Sequence, residues 1–516
     1  MSSQVASKRQ LTRRNWPDGW EWQKFWKDSK HWVHEVLNPD KDPDYEAPPD
    51  WVIERRKLAG IVVPDEVKSP IEYNPVIRSD SANAELFSEL HNERVRFDHR
   101  RNRWLIWKGS RWEPDSNGEV YRLAVQTAKY RYKQAEGISD LEERKRETNW
   151  AISSESRAKI DACIALAKNI QPIADTGNTW DASRWLLGTE NGVIDLKTGE
   201  LRPGKPDDRI TMSAGIEYNP EADCPRWKQF LSEVFDDDDL TNWIWRALGY
   251  SLTGDTSEQC VFIGYGKGAN GKTRLIEALR HALGDYAYTS PFSTFELHQR
   301  SSIPNDMAAL ENKRFVSSSE TNDNTRLNEA RIKALSGGDP ITARYLHCEY
   351  FTFEPHLKIW LLVNHKPKVA DDSHGFWRRV KLIPFTKQFT GNQEDKHLGD
   401  KLKAEAPGIL NWLVKGCLEW QKVGLTPEPE CIKNAVKEYK AESDPLNDFI
   451  EECCIEKENG IARARELFNA YENWAESYGM KDRERLNSTQ FGRKIAQKFE
   501  KARDSESKFY WGITLK

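Results

Sequence analysis

The clearest pattern along the chain lies between residues 255 and 390, where short apolar runs alternate with amphipathic stretches. The first apolar run, Cys260–Ile263, precedes a segment in which Leu275, Leu279 and Leu283 recur at four-residue spacing. This spacing places the leucines on one face of a helix, whereas an unbroken apolar run is typical of a buried strand. Alternating strands and helices predict an α/β core with a mainly parallel sheet.

The flanking patterns predict further domains on both sides of this core. Alternating positions around Trp104, Trp107 and Trp112 predict strands of a small α+β domain ahead of it. Three helical patterns and a ribbon over 501–515 predict a C-terminal winged helix. The predicted regions are a partly flexible, polar, Trp-rich segment at 1–78, the α+β domain at 79–175, a region preceding the core at 176–250, the α/β core at 251–390, a helical extension at 391–443 and the winged helix at 444–516.

Length, charge and cysteine usage narrow the class of protein. The 516 residues suffice for about three or four domains. A net charge of −4, from 77 basic and 81 acidic residues, excludes a uniformly basic surface, so contacts to nucleic acid must come from local patches. No apolar run approaches the roughly 18 residues that a membrane span needs, which predicts a protein of the bacterial or host cytoplasm with no membrane partner. The eight cysteines form no Cys-x-x-Cys pair, which argues against a zinc ribbon.

The junction between the first strand and its helix carries a glycine-rich pattern. Its residues are Gly266, Lys267, Gly268, Ala269, Asn270, Gly271, Lys272 and Thr273. Such a turn at a helix N-terminus directs backbone N–H groups and the positive end of the helix dipole toward phosphate oxygens. The lysine reaches the terminal phosphates, and the threonine hydroxyl can ligate Mg²⁺. The sequence therefore predicts binding and hydrolysis of a nucleoside triphosphate, with ATP and Mg²⁺ as the cofactors.

Three segments farther along the core carry further candidate chemistry. Glu320 ends an apolar run, where a carboxylate could hold Mg²⁺ through water or polarise the attacking water. Asn364 ends another run, and its amide could hydrogen-bond the γ-phosphate or the lytic water. Arg378 and Arg379 precede a further strand, where a guanidinium could stabilise transition-state charge on the nucleotide of a neighbouring subunit. Between these positions, a Gly-Gly break and two short runs predict a hairpin at about 339–353.

The order of these motifs resembles a known family. The blocks GYGKGANGKT, SSSE, KALSGGDPITARYLH, WLLVNHKP and FWRRVKLIPF are similar to those of the superfamily 3 helicases, in the phage and plasmid primase–helicase branch related to poxvirus primase–helicases. The resemblance covers about residues 180–515 and makes 176–250 a pre-helicase region. It implies an AAA+-like P-loop core in a homomeric ring, expected to be a hexamer, with ATP between subunits and single-stranded DNA in the pore, moving 3′ to 5′ by analogy.

The resemblance also implies roles for individual residues. Lys272 and Thr273 match the phosphate and Mg²⁺ positions, Glu320 the catalytic acid that shares the metal, and Asn364 the first sensor. One of Arg378 and Arg379 matches the inter-subunit arginine. The family's pore hairpin falls on about 339–353, so the residues expected to contact the DNA backbone there are Lys333, Arg344 and His347. Contacts of this kind are independent of base sequence and sensitive to salt.

The C-terminal region carries a local excess of positive charge. Residues 481–516 contain ten basic and five acidic side chains, a surplus of five in a chain whose total is −4. Its third predicted helix begins near Asn487 and carries Arg493, Lys494 and Lys498. A winged helix can lay this helix in a major groove, so the three side chains are predicted contacts to DNA.

These features favour a replicative, ATP-dependent DNA helicase of a phage, prophage or plasmid-like element, acting as a ring on single-stranded and forked DNA. Many relatives carry a primase domain or a zinc module near the N-terminus, and no Cys cluster indicates one here, so a separately encoded primase is the expected partner. An origin-binding initiator or scaffold that uses ATP only for assembly is the main alternative. A small-molecule P-loop kinase is a weaker one, because no lid for an acceptor substrate is evident.

Overall fold

A computed structural model describes residues 77–297, 305–319, 325–345, 349–369, 373–478, 480, 485–503 and 507–516. The predicted Trp-rich segment lies outside the described residues except for its last two positions, as do the predicted site residues Glu320 and His347. The chain separates into two compact units. Of the described residues, one unit comprises 77–83 and Thr127–Lys159, and the other comprises Ala84–Gln126 and those from Ile160 to Lys516.

Four helices lie between residues 80 and 167 of the described chain. They are α1 (Asp80–His91), α2 (Glu119–Ala135), α3 (Leu141–Ser154) and α4 (Arg157–Ala167). In the smaller unit, the buried guanidinium of Arg131 lies 2.7 Å from the buried carboxylate of Glu147. A single helical stretch over 141–167 is predicted, but the helix is interrupted after Ser154. There the hydroxyls of Ser153 and Ser154 both donate to the Trp150 carbonyl, in the way that serine competes with helical backbone bonds.

In the larger unit, a four-stranded sheet forms the predicted α+β fold. Its strands are β1 (Val95–Asp98), β2 (Arg103–Trp107), β3 (Trp112–Pro114) and β4 (Ala174–Asp175), in the order β3-β2-β1-β4. The predicted tryptophan-bearing strands are β2 and β3, which are antiparallel. Phe87, Phe97 and Ile160 belong to the apolar core beneath the sheet.

The next region contains one more strand than the sequence predicts. A three-stranded antiparallel sheet consists of β5 (Leu186–Thr189), β6 (Gly192–Asp195) and β7 (Glu200–Arg202). The turn residues at Asn191-Gly192 and Thr198-Gly199 predict two short strands here, but both turns reverse the chain and so join three strands. Helices α5 (Pro225–Phe235) and α6 (Asp238–Tyr250) follow. Their tryptophans Trp227 and Trp243 are fully buried, as predicted for core side chains.

A five-stranded, entirely parallel sheet forms the predicted α/β core. Its strands are β8 (Val261–Tyr265), β9 (Ala287–Thr289), β10 (Phe315–Ser319), β13 (Lys358–Val363) and β14 (Val380–Pro384), in the order β14-β8-β13-β10-β9. The connecting helices are α7 (Lys272–Leu283), α8 (Asn305–Ala308), α9 (Glu329–Gly337) and α10 (His374–Trp377). The predicted hairpin consists of antiparallel β11 (Ile341–Ala343) and β12 (Phe351–Phe353).

Three helices lead from the core into the C-terminal region. They are α11 (Leu398–Ala404), α12 (Ala406–Val423) and α13 (Glu430–Glu442). The C-terminal elements are α14 (Pro445–Cys453), β15 (Cys454–Arg463), α15 (Ala464–Ser477), α16 (Ser488–Lys498), β16 (Lys501–Arg503) and β17 (Lys508–Leu515), with strand order β15-β17-β16. In the part of the chain that the structure covers, no helix is both long and apolar enough to cross a membrane.

Candidate functional site

The glycine-rich segment links the carboxyl end of β8 to the start of α7. Gly271 immediately precedes the helix with φ +86°, a left-handed conformation that glycine adopts without steric cost. A Cβ on Gly266 would lie 2.3 Å from the Phe385 carbonyl oxygen, so the chain passes too close there for any side chain. A Cβ on Gly268 would meet nothing within 4 Å. Gly266 and Gly271 thus permit the path of the loop, and Gly268 leaves the loop backbone open to a ligand.

Lys272 is the first residue of α7 and is only 6% exposed. Its ammonium donates to the Gly266 carbonyl and, over 3.2 Å, to the Asn364 side-chain oxygen. Burial among these neutral acceptors lowers the pKa of Lys272 to about 8. Among the described residues, its hydrogen-bond acceptors are these two neutral groups, so an incoming anion would stabilise the charged form of the ammonium.

Neighbouring strands bring the other candidates to the same edge of the sheet. Because β8, β13 and β10 are adjacent and parallel, their carboxyl ends meet there. Asn364 directly follows β13 and is exposed, and the Thr273 side chain is exposed beside Lys272. The last residue of β10, Ser319, lies opposite Leu362 in β13. A cleft at this edge is lined by residues 268–274, Glu277 and Asn364.

A second cavity adjoins the same loop and was not predicted from the sequence. Its apolar lining comprises Phe230, Ala269, Phe389 and Leu398, with charged and amide groups around it. The backbone N–H of Phe389 donates to the Ala269 carbonyl over 2.7 Å, which joins the chain after β14 to the loop. The residues come from α5, the loop and the segment before α11, and no local motif connects such distant positions. The cavity therefore places apolar side chains next to the loop.

The two predicted arginines lie at the opposite edge of the sheet. The Arg379 carbonyl accepts from the Val261 N–H, which places it at the amino end of β8. From Val261 to Tyr265 the strand rises about 13 Å at roughly 3.3 Å per residue, so the arginines and the glycine loop of one chain lie far apart. Arg378 is exposed and Arg379 is half-buried, and both donate to the Gln259 side-chain oxygen.

The hairpin region contains two of its three predicted basic residues within the described chain. Lys333 is half-buried on α9, eight positions before β11 begins. Arg344 follows β11 with its guanidinium 4.8 Å from the centre of the exposed Tyr350 ring. The predicted pair thus lies on the helix before the hairpin and on the hairpin itself.

A cluster of charges at the base of the hairpin was missed by the sequence reading. The Glu311 side chain is 8% exposed and accepts from Arg100 over 2.7 Å and from Arg101 over 3.0 Å. The Arg100 guanidinium also lies 4.3 Å from the centre of the Phe351 ring in β12, and Tyr345 stacks on that ring. This cluster, Arg100, Arg101 and Glu311, connects the β1–β2 turn to the hairpin. Its partners are separated by about two hundred residues, so no local pattern indicates them.

The three predicted basic residues on α16 lie in different surroundings. Asn487 caps this helix, accepting from the Gln490 N–H. Arg493 is exposed. Lys494 lies 3.4 Å and Lys498 3.2 Å from the Asp444 carboxylate at the start of α14, so these two also contact a carboxylate of the chain.

The fold and site define a multidomain α/β protein with a glycine-rich loop at the carboxyl edge of a five-stranded parallel sheet. Three protein families match parts of the chain. Residues 84–236 match the family described as D5 N terminal like, and residues 441–511 match the poxvirus D5 protein-like family. Between them, residues 264–379 match a family of unknown function, DUF5906.

Curated relatives come from large DNA viruses. A putative helicase of Acanthamoeba polyphaga mimivirus is 30% identical over 322 residues, covering 58% of this chain and 33% of the relative. A putative helicase of frog virus 3 is 24% identical over 383 residues, covering 58% of this chain and 39% of the relative. A putative primase of African swine fever virus, strain Badajoz 1971, is 24% identical over 332 residues, covering 57% and 34%. The chain therefore spans about a third of the length of these relatives.

Among solved structures, the apo C-terminal region of NrS-1 is similar over 82% of this chain and 98% of that one, at 13% identity and a TM-score of 0.48. The predicted family resemblance is confirmed by the sequence matches. The chain matches the D5 N-terminal-like and poxvirus D5-like families over parts of its length and is similar to proteins of large DNA viruses that are named putative helicase or putative primase.

Proposed function

We propose that this chain is an ATP-dependent DNA helicase of the superfamily 3 type, which works as a ring on single-stranded and forked DNA during replication of a phage, prophage or plasmid-like element. The observation that carries the proposal is the contact of Lys272 with Asn364, 3.2 Å apart, at the carboxyl edge of a parallel sheet. Ligands of open α/β sheets bind beyond this edge. The contact joins the loop lysine to the end of a neighbouring strand, where a γ-phosphate would touch both.

The two cavities beside the loop accommodate the parts of ATP. The phosphates would lie over the backbone of residues 266–272, at the N-terminus of α7. Thr273 would hold Mg²⁺ together with Glu320, the acid expected to polarise the attacking water. The base would enter the apolar cavity beside Phe230 and Phe389.

The separation of the arginines from the loop supports a site shared between subunits. Arg378 and Arg379 lie at the amino edge of the sheet, so they cannot reach the nucleotide bound by their own chain. In a ring, one of these arginines would reach the nucleotide bound by the neighbouring subunit. There its guanidinium would stabilise the negative charge that develops during phosphoryl transfer. Arg378, the more exposed of the two, is the stronger candidate.

DNA would contact the hairpin and the C-terminal region. Lys333, Arg344 and His347 are the proposed backbone contacts at the hairpin, and Arg493, Lys494 and Lys498 those on α16. The element order of the C-terminal region, a helix and a strand followed by two helices and two strands, supports a winged helix. The same order also favours the alternative function, an origin-binding initiator that recognises duplex DNA. A separately encoded primase remains the proposed partner.

The decisive experiment compares ATP hydrolysis and fork unwinding by the wild type and by Lys272→Ala. Both activities should fall by at least a hundredfold in the variant, whereas Lys267→Ala, an exposed lysine of the same loop, should retain both. ATP-independent unwinding, or no unwinding by an assembled ring with DNA-stimulated ATPase, would refute the helicase assignment. Strong preference for one duplex sequence without translocation would favour the initiator.

A further inference from the structure

A basic cleft lies where helix α13 of the extension meets helix α16 of the C-terminal region. Lys437 and Lys440 line it from α13, and Lys494 and Lys498 line it from α16. Trp377 of the core also contributes to its lining. We call this feature the lysine cleft.

Positive charge in the lysine cleft exceeds the negative charge available to balance it. Among the described residues that line it, Asp444 is the one carboxylate against four ammonium groups, which gives this lining a net charge of +3. Its carboxylate already contacts Lys494 and Lys498 and accepts from the Leu446 N–H. The other polar lining groups, including the Asn447 and Gln497 amides and the Ser443 hydroxyl, can all donate hydrogen bonds.

The two lysines on α13 differ from the lysine one turn earlier on the same helix. Lys433 is paired with Glu430 at 2.6 Å, as is common for exposed charges three residues apart. Lys437 and Lys440 are also exposed, yet neither forms an ion pair with a carboxylate of the described chain. Like charges that face one cleft repel each other, and a bound polyanion relieves that repulsion.

We propose that the lysine cleft binds the phosphate backbone of DNA, gripped by Lys437 and Lys440 on one wall and by Lys494 and Lys498 on the other. The proposal deepens the proposed function, because it places the DNA contact of the C-terminal region at a junction with the extension rather than on an isolated helix. Lys437 and Lys440 are three residues apart and Lys494 and Lys498 are four apart, so the members of each pair are separated by about 4.5 and 6 Å along their helix axes. Successive phosphates of one DNA strand are separated by about 3.4 Å along the duplex axis, so each lysine spacing corresponds to one or two phosphate steps.

The cleft connects to the segment that carries Asn364. Tyr439 lies on α13 between the two lysines, and its ring packs edge-on against Trp377 at 5.3 Å. Its hydroxyl donates to the Pro367 carbonyl, three residues after Asn364. These contacts join α13 to the segment after β13, in which Asn364 contacts Lys272.

The test measures binding of fluorescent single-stranded and duplex oligonucleotides by the full chain, without nucleotide, at several salt concentrations. The double variant Lys437→Ala/Lys440→Ala should bind about tenfold more weakly near 0.15 M salt, and the slope of log affinity against log salt should decrease by about 1.4 for single strands or 1.8 for duplex. The oligonucleotide whose slope changes by the expected amount, single-stranded or duplex, identifies the form of DNA that the cleft binds. Basal ATP hydrolysis should be unchanged.

The matched control is Lys433→Ala/Lys422→Ala, which removes two exposed lysines that are already paired locally. A second variant tests whether more positive charge in the lysine cleft strengthens DNA binding. Asp444→Asn keeps a helix-capping side chain but removes the negative charge, so DNA binding should tighten and become more salt-dependent. An unchanged affinity and slope in the α13 double variant, an equal loss in the control, or weaker binding by Asp444→Asn would overturn the proposal. If neither the wild type nor any variant hydrolyses ATP, but the variants change DNA binding as expected, the helicase function is refuted and the lysine cleft is not.

Discussion

Nucleotide affinity should fall as the pH rises from 7.5 to 9.5, because Lys272 loses its proton in the free protein. Burial lowers its pKa to about 8, and its acceptors, the Gly266 carbonyl and the Asn364 amide, carry no charge to counter this. Bound triphosphate supplies that charge and raises the pKa again, so the nucleotide binds the protonated form. At a pH above the pKa that Lys272 has in the free protein, nucleotide binding must therefore be accompanied by uptake of a proton.

The expected size follows from the fraction of Lys272 that is protonated. With a pKa of about 8, roughly 76% of the free protein carries the proton at pH 7.5 and roughly 3% at pH 9.5. The affinity should therefore decrease about 25-fold over this range, equivalent to about 2 kcal/mol. The phosphate groups of the ligand titrate near pH 6 and stay ionised throughout.

The assay is titration with a fluorescent ATP analogue and Mg²⁺ at half-unit pH steps. Calorimetry at pH 8.5 in buffers of different ionisation enthalpy should also detect uptake of about 0.8 proton. Lys272→Met should bind weakly and without this pH dependence, whereas Lys267→Met should retain it. An affinity that stays constant from pH 7.5 to 9.5 in the wild type, or an equal decrease in Lys272→Met, would refute the role assigned to the buried ammonium.

Three further predictions test the cluster at the hairpin, a buried lysine and the shared site. In a double-mutant cycle, Arg100→Ala and Glu311→Ala should show a coupling energy of about 1–3 kcal/mol in urea unfolding, and additive losses would contradict the contact. Lys358 is buried with a pKa lowered to about 7, so the unfolded chain binds more protons between pH 7 and 10.5. This group should therefore contribute about 2 kcal/mol of added stability from pH 7 to 9, and urea midpoints of Lys358→Met should lack that contribution relative to the wild type. Mixing inactive Lys272→Ala and Arg378→Ala subunits should restore part of the ATPase activity, and no restoration in mixed rings would argue against an arginine supplied by the neighbour.

The core was predictable because its signals are local. The apolar run at β8, the glycine pattern and the leucine spacing of α7 follow one another within 25 residues, so a strand, a loop and a helix could be read in order. The contact between Lys272 and Asn364 spans 92 positions, yet it also follows from sequence, since the carboxyl ends of parallel strands share one edge.

Features that depend on tertiary packing could not be predicted in this way. Strand β15 has five consecutive exposed residues and a register irregularity between Glu456 and Ile461, so it lacks the alternation by which a strand is recognised. The pairing of Lys494 and Lys498 with Asp444 depends on how α16 packs beside α14. Helical spacing alone places these lysines off the apolar face of α16, but it does not indicate which residues they contact.

The two edges of the central sheet impose a constraint on any assembly that hydrolyses ATP. The glycine loop follows β8 at one edge, and Arg378 precedes β14 at the other, with both strands parallel and adjacent. A nucleotide that uses both must lie between the carboxyl edge of one subunit and the amino edge of the next. Such a contact joins two different surfaces, so it repeats head to tail and closes into a ring or extends as a filament. Closure would make every subunit both a donor of the arginine and a holder of the nucleotide, so hydrolysis would depend on ring assembly rather than on the single chain.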